Sequence, residues 1–276
     1  MAVEMLSYIE RESPLHRLSG ATKLIIFLFW STAAMLTYDT RILVVMLIGS
    51  LVIFKISQIE LREIAFVLIF ILFFLFLNNV AIYIFSPRQG VEIYGTSHEL
   101  FHIWGRYNMT WEQIFYQANV TLKYFVVIPA ALLFIVTTHP SEFAASLSRI
   151  GISYKISYAV SLAFRYIPDI QRDYKTISKA QQARGIDLSR NEKLGKRLKN
   201  ALAIIMPLIM SSLDRIETIS NAMELRGFGK KKRRSWYSEK PFRKADVWAI
   251  FFTVILFVIA MIVTFYDGSR FYNPFK

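Results

Sequence analysis

Five long, almost uncharged stretches recur along this chain, at residues 23–37, 42–56, 64–85, 114–136 and 245–265, separated by polar links. Each predicts a transmembrane helix, since apolar side chains around the whole circumference of a helix suit hydrocarbon rather than a soluble core. The first two are short for a full crossing, so flanking residues fill the remaining thickness, with Lys55 snorkelling at the end of the second. In the third, Asn78 and Asn79 interrupt a run rich in Phe and Leu, and polar side chains at that depth face other helices. In the fourth, Lys123 either snorkels or pairs with a neighbouring helix, and Pro129 is expected to kink the segment.

Between the fourth and fifth stretches the pattern changes to a 3.6-residue period. A short helix begins near Pro140, with Ser141 as its expected N-cap and Phe143, Leu147 and Ile150 as its stripe, and Gly151 breaks it. Two longer amphipathic helices follow. Ile170, Tyr174 and Ile177 form the stripe of the first, while Leu202, Met206, Ile209, Leu213, Ile216 and Met223 form that of the second. Pro168 marks the expected start of the first, and Pro207 either starts or bends the second. Residues 187–199 read as a charged connector. Measured from those prolines to Arg184 and Arg226, the helices would be about 24 and 28 Å long.

The two helices share an internal repeat. Thr176-Ile177-Ser178 and an Ala lead to Ala183-Arg184-Gly185, and Thr218-Ile219-Ser220 and an Ala lead in the same register to Leu225-Arg226-Gly227. Such a repeat means two similar elements that end in the same way. Gly185 and Gly227 stand where a helix takes a left-handed C′ residue, which puts each Arg at a helix end, complementing the macrodipole. One Arg-Gly end is an ordinary C-terminus. Two matched copies between membrane spans point to two tips that dock into two similar partner sites, where a planar guanidinium can bridge carboxylates and carbonyls.

Composition sharpens this reading. The 276 residues carry a net charge of +13, 54% are hydrophobic, and there is no Cys, which excludes disulfides, thiolate metal sites and Cys nucleophiles. About two thirds of the Lys and Arg lie between residues 149 and 244, which makes that block cytoplasmic and attractive to anionic membrane lipids. Lys230-Lys231-Lys232-Arg233-Arg234 is its densest cluster. No nucleic-acid-binding motif accompanies it, so no nucleic-acid partner is expected. Polar residues 8–18 precede the first span without the pattern of a cleavable signal peptide. Residues 86–111 read as a polar loop, in which His98 and His102 are ordinary loop residues with no third ligand nearby; no metal site is expected. The fold class is therefore all-α, a polytopic membrane protein with about five transmembrane helices and long amphipathic cytoplasmic helices, its N-terminus inside.

Four places give the chain a family likeness. Ser13-Pro14-Leu15-His16-Arg17-Leu18 followed by Thr22-Lys23-Leu24 is one, with Gly20-Ala21 where a Pro-Arg pair is common. Thr137-Thr138 with Pro140-Ser141-Glu142 is the second, Phe164-Arg165-Tyr166-Ile167-Pro168 the third, and the paired Arg-Gly ends the fourth and most specific, although Leu225 departs from the usual Ala. Together they resemble the transmembrane T component of energy-coupling factor transporters, the EcfT/CbiQ-like family of prokaryotic ATP-driven importers of vitamins and metal ions. The resemblance implies a multi-pass cell-membrane scaffold without catalytic chemistry. It divides the chain into a membrane domain over 1–137 with four transmembrane helices, a cytoplasmic coupling domain over 138–244, and a final helix and tail over 245–276. Two ATPase subunits, different or identical, would receive Ala183, Arg184, Gly185, Leu225, Arg226 and Gly227. A small membrane-embedded substrate-binding S component would pack on Ile170, Tyr174, Ile177, Met206, Ile209, Leu213 and Ile216. ATP and Mg would be bound by the ATPases and no cofactor by this chain. A membrane-embedded enzyme and a stand-alone secondary transporter are the alternatives, but the spans lack paired acidic residues, a positioned His and a phosphate-binding loop.

Overall fold

Among the described residues, four helices begin by one device, a short polar side chain that accepts a backbone N–H left over in the first turn. Ser13 accepts from His16 ahead of α1 (Pro14–Arg17), and Ser19 accepts from Thr22 in α2 (Gly20–Leu36). Asp39 accepts from Arg41 in α3 (Thr40–Ile56), and Thr110 accepts from Gln113 in α6 (Trp111–Thr137). The remaining helices are α4 (Leu61–Phe85), α5 (Gln89–Tyr94), α7 (Pro140–Arg149), α8 (Tyr154–Ala183), α9 (Leu194–Leu225) and α10 (Lys244–Phe265). The computed structural model describes residues 11–104, 107–186, 194–231, 235–236, 240–266 and 268–275. Part of the Lys230–Arg234 cluster and most of the expected connector lie outside those residues, as does the side chain of His102.

The protein is an all-α polytopic membrane protein with one small hairpin. Among the described residues three helices are long and apolar enough to cross a bilayer, Ile64–Phe85, Trp111–Thr137 and Lys244–Phe265. Helices α2 and α3 have 17 residues each, about 26 Å against a hydrocarbon core of about 30 Å, the shortfall expected of them.

The chain forms two compact units, residues 1–143 with 240–276, and residues 144–239. In the first, α6 packs against α2, α3, α4 and α5, and α10 packs against α2 and α3. Trp30, Ala33, Ala34, Leu43, Met46 and Val126 form the buried centre, with Ala33 and Ala34 fully enclosed so that helices approach closely. Helices α4 and α10 leave most of their apolar surface outward, the face that lipid covers. Asn79 joins helices, as its position implied: its Oδ1 accepts from Thr121 and its carbonyl from Gln117. Lys123 pairs with α2 rather than snorkelling, donating to the Met35 carbonyl at 2.9 Å beneath the Tyr38 ring. The chain's last described residues return to this end, where Phe271 stacks on Tyr38, Phe275 meets Tyr94 and Phe115, and Asn273 donates to the Tyr94 carbonyl.

Several sequence expectations change. The loop at 86–111 contains α5 and an antiparallel hairpin, β1 (Glu99–Trp104) and β2 (Tyr107–Thr110). Aromatic and β-branched residues favour strands there, and two register shifts hid the alternation that marks them. His98 remains a loop residue, and its backbone N–H and Nδ1 both meet the fully buried Glu112 carboxylate. Helix α7 starts at Pro140, a residue preorganised for N1, so Ser141 sits in the first turn instead of capping it. Pro168 does not begin a helix; it lies inside the 30-residue α8, and Pro207 lies inside the 32-residue α9, whose start at Leu194 absorbs the second half of the expected connector.

Gly90 shows how tightly α5 meets α6. A Cβ there would stand 2.3 Å from the Glu112 carbonyl oxygen, and the Gly90 N–H donates to the Gln113 side chain. Gly90→Ala is expected to destabilise the purified protein by about 1–3 kcal/mol, read as a lower midpoint of thermal unfolding in detergent. An unchanged midpoint would mean that α5 does not seat on α6 in this way.

Candidate functional site

The two Arg-Gly ends close by the same hydrogen-bond pattern. At the end of α8, Gly185 N–H donates to the Gln182 carbonyl at 2.9 Å and Ile186 N–H to Gln181 at 3.0 Å. At the end of α9, Gly227 N–H donates to Glu224 at 2.8 Å and Phe228 N–H to Met223 at 2.9 Å. Both are Schellman caps, with φ of +86° at Gly185 and +65° at Gly227, a region that costs other L-residues about 1–2 kcal/mol. The cap alone is not distinctive, because Gly151 ends α7 through the same two bonds. What the two tips add is an exposed Arg at the C-cap, Arg184 after Ala183 and Arg226 after Leu225. Leu225 is 89% exposed, an unusual place for a leucine in a finished surface.

These six residues do not converge on one site. Gln181 donates to the Ala203 carbonyl, Asp173 pairs with Arg215, and Tyr158 meets Phe228. Numbers rise along α8 as they fall along α9, so the two helices run antiparallel. Asp173 and Arg215 stand at equivalent positions of the repeat, each three residues before its Thr-Ile-Ser. Arg184 and Arg226 therefore lie equally far beyond the crossing, about 11 residues or ~17 Å each, which separates the tips by roughly 33 Å. One antiparallel pair thus presents two like ends facing apart.

The Asp173–Arg215 pair was legible only as two charges at one repeat position, and the sequence pattern did not single it out. Both side chains are about one-third exposed, so screening leaves the pair about 1 kcal/mol or less. Its consequence is register rather than stability. Arg215 also lies over the Tyr166 ring, with its guanidinium carbon 5.9 Å from the centroid.

The apolar stripes face outward. Ile170, Tyr174, Met206, Ile209, Leu213 and Ile216 are all exposed, and Ile177 is half-buried. On the side of the crossing nearer Arg226, a cavity of about 720 Å³ opens between the helices. Ile170 and Ile216 line it together with Leu162, Tyr166, Ile219 and Met223, and Phe228 closes its end. Of the seven expected packing residues the structure brings only Ile170 and Ile216 to one cavity; the others lie along the outer stripes. Neither helix is among those apolar enough to cross a bilayer.

With no native Cys, disulfide trapping reads this geometry directly. Gln181→Cys with Ala203→Cys is expected to cross-link on mild oxidation, and Arg184→Cys with Arg226→Cys is expected not to, since a disulfide spans less than about 7 Å between Cα atoms. An intramolecular bond between the two tips would contradict the antiparallel pairing.

Comparisons with known proteins place these features in a wider group. A family model described as CbiQ, cobalt transport protein, matches residues 11–237. The energy-coupling factor transporter transmembrane protein EcfT of Limosilactobacillus fermentum is 27% identical over 264 residues, covering 92% of this chain and 94% of the relative. The protein of the same name from Brevibacillus brevis is 26% identical over 264 residues, covering 91% and 94%, and that from Lactococcus lactis subsp. cremoris is 24% identical over 267 residues, covering 92% and 95%.

Proposed function

The chain belongs to the CbiQ family of cobalt transport proteins, and from that premise we propose that it is the transmembrane coupling scaffold of an ATP-driven importer of the energy-coupling factor type. The relatives' names support its being the membrane component of such a transporter. The observation that carries the coupling role is the pair of like Arg-bearing caps facing apart on one antiparallel helix pair.

In this reading Arg184 and Arg226 dock on two cytoplasmic ATPase subunits, different or identical, with Ala183, Gly185, Leu225 and Gly227 shaping the tips. A guanidinium at a C-cap projects beyond the last backbone carbonyls, and its fork suits a groove lined by carboxylates and carbonyls. ATP and Mg belong to the ATPases, and this chain contributes no catalytic group. A small membrane-embedded S component covers the outward stripes, Ile170, Tyr174 and Ile177 on α8 and Met206, Ile209, Leu213 and Ile216 on α9. That component selects the cargo, a vitamin or a metal ion.

The physical logic is that of two levers. Helices α8 and α9 are about 45 and 48 Å long, held in register by Asp173–Arg215 and by Gln181 on the Ala203 carbonyl. Closure of the ATPases on ATP displaces both tips. Because the helices are stiff and fixed where they cross, the displacement reappears along their apolar faces and reorients the S component. The basic block between residues 149 and 244 supports a cytoplasmic side for this unit and the N-terminus, with anionic lipid headgroups of the cell membrane beside it.

Reversing charge at both tips tests this. Each reversal is expected to cost its interface about 2–5 kcal/mol, so Arg184→Glu with Arg226→Glu abolishes cargo uptake and co-purification of the ATPases while the chain still inserts in the membrane. Normal uptake with ATPases retained would overturn the docking role of the tips.

A further inference from the structure

The cavity between α8 and α9 lies wholly within the second unit. Its volume of about 720 Å³ falls in the range of about 300–1,000 Å³ typical of ligand sites. Along α8 its lining runs from Ala159 to Ile170, about 17 Å of helix. One leaflet contributes roughly 15 Å to a hydrocarbon core. The walls are mostly apolar, with Leu162, Ala163, Ile170, Ile216, Ile219 and Met223 among them. Of the charged residues in the lining, Arg215 is paired with Asp173, and Glu224 is the acid. The end closed by Phe228 differs from the rest. Phe228 packs on Tyr154 and Tyr158, and Tyr158 meets Trp236. Lysines frame this aromatic cluster. The Lys155 ammonium lies 3.8 Å from where a Cβ on Gly229 would stand, and the Lys230 side chain passes 3.3 Å from such a Cβ on Gly227. Both lysines are exposed, and among the described residues neither meets a carboxylate. Tyr, Trp and Lys gathered at the end of an apolar slot repeat the pattern by which proteins meet the headgroup region of a bilayer.

We propose that this cavity holds an acyl chain of an anionic phospholipid, whose phosphate rests on Lys155 and Lys230. The chain supplies dispersion contacts that the facing helices do not make with each other there, and the ammonium groups supply the charge a phosphate needs. A partner protein's apolar face suits the outward stripes. The lysine-framed end calls instead for an anion joined to an apolar body, which is what such a lipid is. Ile170 and Ile216 belong both to this lining and to the outward stripes, so the lipid completes the surface offered to a membrane partner. The site deepens the lipid contact proposed above for the basic block, and it does not depend on docking of the tips.

Native mass spectrometry of the full-length chain tests this, after delipidation in detergent and titration with phosphatidylglycerol or with phosphatidylcholine of the same acyl chains. Phosphatidylglycerol is expected to bind more tightly. Lys155→Gln with Lys230→Gln is expected to weaken it about tenfold or more and to leave phosphatidylcholine unchanged. Lys175→Gln with Lys179→Gln removes the same charge from α8 outside the cavity lining and is expected to change neither affinity. Ile219→Trp, and more gently Ala163→Leu, are expected to weaken both lipids by filling the cavity. Equal affinity for the two lipids, equal losses from the two lysine pairs, or native binding by both filled variants would each overturn the site. Displacement of phosphatidylglycerol by millimolar inorganic phosphate would overturn it too, by marking an anion site that takes no chain. In native membranes a benzophenone side chain at Ile219 is expected to capture phospholipid, and capture of protein alone would overturn the lipid as occupant. The purified chain carries no ATPase, so failed docking of the tips leaves the lipid result intact, and a failed lipid site leaves the docking result intact.

Discussion

The geometry of the second unit depends on one crossing, where Asp173 meets Arg215. The pair is worth little as free energy, since both partners are partly in water. Its importance is positional. Equivalent positions of a repeat meet there in antiparallel sense, and that alone makes the ends of the repeat symmetric about the crossing. Shift the register by one helical turn and the distance between the two tips changes by about 5 Å. Opposite charges at this point oppose such a slip, whereas an apolar contact would tolerate it.

A second constraint follows from composition. Helices α8 and α9 are not among the helices apolar enough to cross a bilayer, yet their stripes expose isoleucine, leucine and methionine along most of their length. Such a surface persists only where something covers it. The membrane bundle solves the opposite problem. Several of its buried polar groups are paired across helices, Lys23 with Thr137, Lys123 with Met35 and Tyr38, and Thr264 with Thr37. In a low-dielectric setting these bonds specify which helices meet, because the alternative is an unpaired donor or charge.

Much of this was legible in the chain because its signals are local. The five apolar blocks correspond to α2, α3, α4, α6 and α10 with ends displaced by a few residues, and both terminal glycines adopt left-handed conformations. What stayed hidden depends on context. Pro168 read as a boundary, and Pro207 as a boundary or a bend, because a proline forfeits one hydrogen bond and crowds the preceding turn. In 30- and 32-residue helices packed on each other, the many remaining bonds outweigh that loss. The hairpin at Glu99–Thr110 was obscured by its register shifts, and the return of Phe271 and Phe275 onto Tyr38, Tyr94 and Phe115 is long-range packing that no periodicity reports. Asp173 and Arg215 became partners only when the helices proved to be antiparallel.

The central claim is that the two tips meet ATPases while the stripes between them meet a membrane protein. Photo-cross-linking in native membranes tests it most directly, with a benzophenone side chain placed in turn at Ala183, Leu225 and Ile209 and the adducts identified by mass spectrometry. The account predicts ATPase adducts from both Ala183 and Leu225 and a small hydrophobic protein from Ile209. Membranes in which neither tip captures an ATPase, while Ile209 labels only lipid, would contradict it.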